Sequence, residues 1–293
     1  MSEQAIAEQI VSKRTLVGEG SLWDPADKVL YWVDILSHEL YIYDPATGSN
    51  RTIPTAQAVG TVVKRAAGGL VLALHNGFAF LDPTSEKITP IADPERHIPA
   101  NRFNDGKCDP AGRFWAGTME FNGQADAGAL YCLDEQGTVT EKLRPVAISN
   151  GIVWTADEQT MYYICTAANT VRAFDYDKAT GNISNERVVV VNEGEGGFDG
   201  MSIDVDGNLW VAVFGGWAVR QYDPRTGQLI KEIKLPFERV TSCAFGGAHL
   251  DELYITSAVV GLDEQALAAQ PLAGCLVKVD PGVAGVPAFS YAG

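Results

Sequence analysis

An all-β, six-bladed β-propeller with four-stranded blades is the fold class this sequence predicts, and three recurrences predict it. Six aromatic-rich segments, "LYWVDI" from Leu30, "LVLALH" from Leu70, "FWAGTM" from Phe114, "MYYICT" from Met161, "LWVAVF" from Leu209 and "LYITSA" from Leu253, are spaced 40, 44, 47, 48 and 44 residues apart. After each comes a short strand delivered into an Asp-led turn: "LYIYDPATG", "FAFLDPTSE", "LYCLDEQG", "VRAFDYDKATG", "VRQYDPRTG" and "LVKVDPG". In such a turn the Asp side chain bonds the backbone ahead of it. Before each comes a third strand ending in a hairpin turn: "SLWDPADK", "TVVKRAAG", "KCDPAGR", "IVWTADEQ", "SIDVDGN" and "SCAFGGAHLDE".

Three strands, with room for a fourth, recurring at this period are the pattern of propeller blades. No 3.6-residue apolar period persists, which excludes a helical solenoid, and a sandwich would lack the triple recurrence. Residues 1–293 therefore read as one propeller domain. Closing the ring calls for a blade that mixes strands from both ends of the chain. "AEQIVSKR" is the expected outer strand of the blade holding Leu253 and Cys275.

Composition narrows the function. A hydrophobic fraction of 46% supplies a large core. The formal net charge of −15 makes nucleic acid or an anionic membrane a poor partner. No stretch approaches the length of an apolar membrane span, and "MSEQAIAEQIVSKR" lacks the basic start and apolar run of a signal peptide. The five cysteines are widely spaced and form no CxxC pair, so a reduced, cytoplasmic protein with buried thiols is expected. A closed propeller needs no partner, and a monomer or weak homodimer is expected.

Aligning the blades on their third-family strands puts one residue of each in register: Glu19, Gly60, Asn104, Asn150, Asp199 and Thr241. Each stands 10 to 12 positions before its aromatic strand, at the start of the innermost strand. Innermost strands line the central channel, so these positions form a ring on the axis. Glu19, Asn104, Asn150 and Asp199 offer two carboxylates and two amides with no His or Cys nearby. That set favours one oxygen-loving divalent ion such as Ca²⁺, Mg²⁺ or Mn²⁺, with Zn²⁺ or Fe(II) left open. Glycines close behind these residues would let the backbone approach the site. D-G and N-G are also common hairpin dipeptides, and six blades could merely repeat a turn. Ring phase and residue type together favour the metal.

Five long motifs, in order and correctly spaced, carry a family resemblance: "GEGSLWDPADKVLYWVDI", "RFNDGKCDPAGRFWAGTM", "SNGIVWTADEQTMYY", "FDGMSIDVDGNLWVAVFGG" and "TSCAFGG". Over essentially its whole length the chain resembles the SMP-30/gluconolactonase/regucalcin family of six-bladed propellers. The resemblance implies a sugar lactonase that holds one divalent ion through Glu19, Asn150 and Asp199. It also implies that Arg102 and Asn104, in "RFNDG", and Glu120, after "GTM", contact substrate. The closing "GLDEQALAAQPLAGCLVKVDPGVAG" looks more like bacterial aldonolactonases than animal regucalcins. Cys165 replaces an Asp of many relatives, at a position expected in mid-strand with effects on packing alone. "FNGQADAGAL", after Glu120, is expected to shape substrate choice.

A lactone is a cyclic ester, and its hydrolysis needs a polarised carbonyl, a water nucleophile and a proton acceptor. A divalent ion supplies Lewis acidity. Asp199, ligand and carboxylate at once, is the expected general base. Arg102 would stabilise an oxyanion or clasp sugar hydroxyls, and Asn104 and Glu120 would bind hydroxyls. Two other readings fit the ring: a calcium-binding or protein-docking propeller without turnover, and a metal-dependent phosphotriester hydrolase. There is no G-x-S-x-G elbow and no HExxH, and "DVDGN" lacks the later positions of an EF-hand loop.

Overall fold

Each repeat folds into an antiparallel sheet of four strands, and six such sheets make up the propeller in this computed structural model, which describes residues 7–123 and 126–293. Blade 1 begins with the inner strand Gly18–Asp24, blade 2 with Val59–Lys64 and blade 3 with Asn101–Cys108. Blades 4, 5 and 6 begin with Ser149–Trp154, Gly197–Ile203 and Val240–Gly246. In blades 1 to 5 the chain simply meanders outward. Blade 6 takes its outermost strand, Glu8–Val11, from the start of the chain, paired antiparallel with Leu276–Val279. The strand expected in "AEQIVSKR" is thus the one that closes the ring.

The turns behave as their composition predicts. Asp44, Asp82, Asp134, Asp177, Asp223 and Asp280 each accept a hydrogen bond from the backbone N–H two residues on. At the inner hairpins, Asp109 and Asp204 go further. Each also accepts the indole N–H of the Trp six residues later, at 2.8 Å for Trp115 and 2.9 Å for Trp210. A short helix, Glu264–Ala269, interrupts blade 6 and is capped by Asp263.

The hydrophobic core is divided. Six clusters of buried side chains lie between adjacent blades, each drawing on both neighbours. Leu22, Tyr31 and Val33 of blade 1 pack with Val62, Leu70 and Leu72 of blade 2, for example. Trp23 and Trp32 of blade 1 pack with Tyr254 and Leu276 of blade 6 and so complete the circle. Apolar burial therefore drives blade-to-blade packing and leaves the axis to polar groups. All five cysteines are free and buried. No helix among the described residues is long and apolar enough to cross a membrane.

Past blade 6 the chain crosses the lower face. Backbone hydrogen bonds tie it to Leu250 and Val205, then to Lys64 and Ala66, and finally to Gly112. Tyr291 is buried there and donates its hydroxyl to the Asp134 carbonyl.

Candidate functional site

The six ring positions fall where the inner strands depart from regular pairing. Register shifts lie between Glu19 and Leu22, Val59 and Thr61, Phe103 and Gly106, Ser149 and Ile152, Phe198 and Met201, and Val240 and Ser242. A β-bulge re-aims a side chain that would otherwise stand over a neighbouring blade. The D-G and N-G dipeptides at Asp199 and Asn150 are thus bulges inside strands, and neither is a hairpin turn. Gly20 adopts a positive φ of 57°. Gly60 is required by space: a Cβ there would lie 2.2 Å from the Asn104 carbonyl oxygen. Blade 2 consequently contributes no donor to the ring. Thr241 spends its hydroxyl on the Gly18 carbonyl, 2.5 Å away, and serves as a strut.

Glu19, Asn104, Asn150 and Asp199 are all buried at this ring, between 4% and 7% exposed. Hydrogen bonds join the two amides to each other and the two carboxyls to each other. Arg102 Nη1 donates to Asn104 Oδ1 at 2.6 Å, and Asn104 Nδ2 donates to Asn150 Oδ1 at 2.9 Å and to the Ser149 carbonyl at 2.8 Å. Asn150 Nδ2 donates to Thr166 Oγ1 at 2.6 Å, and Thr166 donates onward to the Phe198 carbonyl. Glu19 accepts from the Gly20 N–H at 2.9 Å, and its carboxyl is hydrogen-bonded to that of Asp199.

Burial dominates the electrostatics. It raises Glu19 to about 8, aided by the charge of Asp105, and it pushes Asp199 well above the carboxylate range, aided by Glu19 and Asp105. Burial also lowers Arg102 to about 10, against the pull of Glu19 and Asp199. Arg102 remains a cation at neutral pH. Its guanidinium donates to the Phe103 carbonyl and to Asn104, however, and to neither carboxylate. Two carboxyl groups in contact, without a cation bonded to them, cannot both ionise. A proton or an added cation relieves that repulsion, and the oxygen-only donor set is of the kind that suits a hard divalent ion. Among the described residues no three His, Cys, Asp or Glu side chains gather as a metal cluster. The remaining oxygen-bearing side chains at the equivalent positions are the amides of Asn104 and Asn150 and the Thr241 hydroxyl, which is already bonded to the Gly18 carbonyl.

Glu120 ends the strand Phe114–Glu120, opposite Asn101, on the same rim as Arg102. It accepts hydrogen bonds from the backbone and side chain of Asn122. Part of the "FNGQADAGAL" segment, Gln124 and Ala125, lies outside the described residues. Cys165 departs from expectation. It is the last residue of its strand, paired with Ser149 beside the ring, because the chain turns there into the short helical turn Thr166–Ala168.

Several site residues were not foreseen. Thr166 positions Asn150, yet nothing in "MYYICT" marks it. Asp105 was visible inside "RFNDG"; it is a buried carboxylate under the ring, raised by burial and bonded to the Gly106 N–H. Phe121 stands over Arg102, 5.7 Å from ring centroid to guanidinium, and meets His75 edge-on at 5.0 Å.

Comparison with known proteins agrees with this architecture. Residues 17–259 match the family described as SMP-30/Gluconolactonase/LRE-like region, and the chain belongs to that family. It is 44% identical to regucalcin of Danio rerio over 290 residues, covering 98% of both chains. It is 38% identical to a protein of Bacillus subtilis named putative sugar lactone lactonase YvrE, covering 96% of each. Among solved structures, a calcium-binding protein, regucalcin, from Agrobacterium tumefaciens superposes with a TM-score of 0.93 at 29% identity, over 98% of this chain and 97% of the other.

Proposed function

We propose that the protein is a divalent-metal-dependent hydrolase of sugar lactones. The observation that carries this reading is the buried, mutually bonded carboxyl pair of Glu19 and Asp199, under the charge of Arg102, with the bonded amides of Asn104 and Asn150 at the equivalent positions of their blades. The family and the relative named as a sugar lactone lactonase support it.

Glu19, Asn150 and Asp199 would hold the ion. When bound, it supplies Lewis acidity that polarises the lactone carbonyl. Beside a cation Asp199 is ionised and takes the proton from the attacking water, acting as general base. The water oxygen would bond to the carbonyl carbon, and as the ring C–O bond breaks Asp199 would give the same proton to the leaving alkoxide. Arg102 holds a fixed positive charge where the carbonyl oxygen becomes negative. Its orientation is set by the Phe103 carbonyl and by Asn104. Asn104 and Glu120 bind sugar hydroxyls, and the buried walls keep bulk water away. The expected ligand partner is a small sugar lactone.

The test is a pH-indicator assay over pentono- and hexonolactones, run with each of several divalent metals. Chelation should abolish turnover and metal add-back should restore it. Full activity after chelation would overturn the metal-dependent mechanism. Tight calcium binding with no turnover of any lactone would favour the second reading, a calcium-binding propeller, which the similarity to the calcium-binding regucalcin of Agrobacterium tumefaciens supports.

A further inference from the structure

We propose that the end of the channel opposite the ring carries a second ligand site, for a short-chain monocarboxylate anion. A cavity of about 70 Å³ lies there. Ser21, Lys107, Ser202, Ile203 and Phe245, from the lower halves of the inner strands, share its wall with Phe289 of the C-terminal tail. None of these residues belongs to the ring.

The chemistry of the wall selects the ligand. Among the described lining residues Lys107 is the only charged one, in a chain whose net charge is −15. An ammonium carries three donors. Lys107 spends one on the Met201 carbonyl, its one hydrogen bond among the described residues. Burial lowers the Lys107 ammonium below the usual lysine range, against the opposing charges of Asp105 and Glu19, neither of which lines the cavity. The site thus offers an ammonium with donors to spare and has no carboxylate in its wall.

The Ser21 and Ser202 hydroxyls in the wall are already engaged, with Ser242 and with the Cys243 carbonyl, and beyond them the wall is largely apolar, with Ile203 and Phe245 on the blades and Phe289 on the tail. It suits an alkyl chain. A sugar acid would leave its hydroxyl groups unpartnered against these side chains, which is unfavourable. The volume holds a carboxylate of about two to four carbons. The ligand is therefore a simple alkyl carboxylate, and the site is distinct from that of the proposed lactonase. Its tests do not depend on that reading.

Calorimetric titration of the full chain with sodium butyrate, in the presence of chelator, should show one saturable site, and 1-butanol should show none. Lys107→Met should weaken butyrate binding at least 10-fold. Ala288→Leu, which fills the cavity from an exposed position on the tail, should weaken it comparably and stands in if Lys107→Met does not fold. Absence of saturable binding would mean that the cavity holds only water, and the proposal fails. It fails equally if 1-butanol binds as well as butyrate, or if a folded Lys107→Met or Ala288→Leu protein binds butyrate as tightly as the parent.

Discussion

At the scale of single residues the site is a problem of charge. Glu19 and Asp199 share a buried hydrogen bond, so without a metal the protonated form is favoured. Asp199→Asn should lower kcat for the preferred lactone by about 10²–10⁴-fold, the range for a lost general base. Circular dichroism should show an intact fold, and stability of the metal-free protein should hold or rise, since one of two repelling acids is gone. A pH effect follows from the same pair. Glu19 sits at about 8 in the fold against an ordinary 4.5. Its contribution to stability is complete below pH 4.5 and is lost as the pH climbs through about 8. The melting temperature of chelated protein should fall between pH 5 and 8.5. Saturating divalent metal, which replaces the proton as counter-charge, should remove that decline. Equal pH profiles with and without metal would contradict the assignment of these carboxyls as ligands.

At the scale of strands and turns, the donors are placed by bulges and held by buried caps. Asp204 is 1% exposed and accepts from the backbone N–H groups of Asp206 and Asn208, from Trp210 Nε1 and from Gln221 Nε2. Asp204→Ala leaves these donors without their acceptor in the interior. Denaturant unfolding should report a loss of about 3 kcal/mol. Because Asp204 lies at the lower end of the strand that carries Asp199, the folded fraction should keep its kcat. The strands were legible in advance because a two-residue side-chain period and Asp-led turns are local signals. The bulges were not. A register shift depends on the partner strand, so "FDG" and "SNG" could be phased onto the ring from the sequence but not recognised as bulges. Cys165 was misplaced to mid-strand for the same reason: where a strand stops depends on what the chain meets next.

At the scale of the whole molecule, stability rests on closure. Six interblade cores hold the ring, and the last one is completed by Val11 on a strand only four residues long. A variant lacking residues 1–13 would expose the free edge of Leu276–Val279 and strip the cover from Cys275. Unpaired strand edges recruit other chains. Thermal unfolding should therefore shift down by roughly 5–10 °C, and light scattering should show concentration-dependent assembly. An unshifted, monomeric truncation would show that the closing strand is dispensable.

The sequence by itself determined the number of blades, the strand that closes them and the side chains that share the ring. Those follow from period and phase, which are properties of the chain read in one dimension. Tertiary structure alone decided that Thr166 holds Asn150, that Phe121 covers Arg102, that Asp105 lies buried and Lys107 half-buried beneath the ring, and that the tail crosses the lower face. Each of these is a meeting between residues far apart in the chain or a depth below the surface, and both arise only when the blades have curved around one axis.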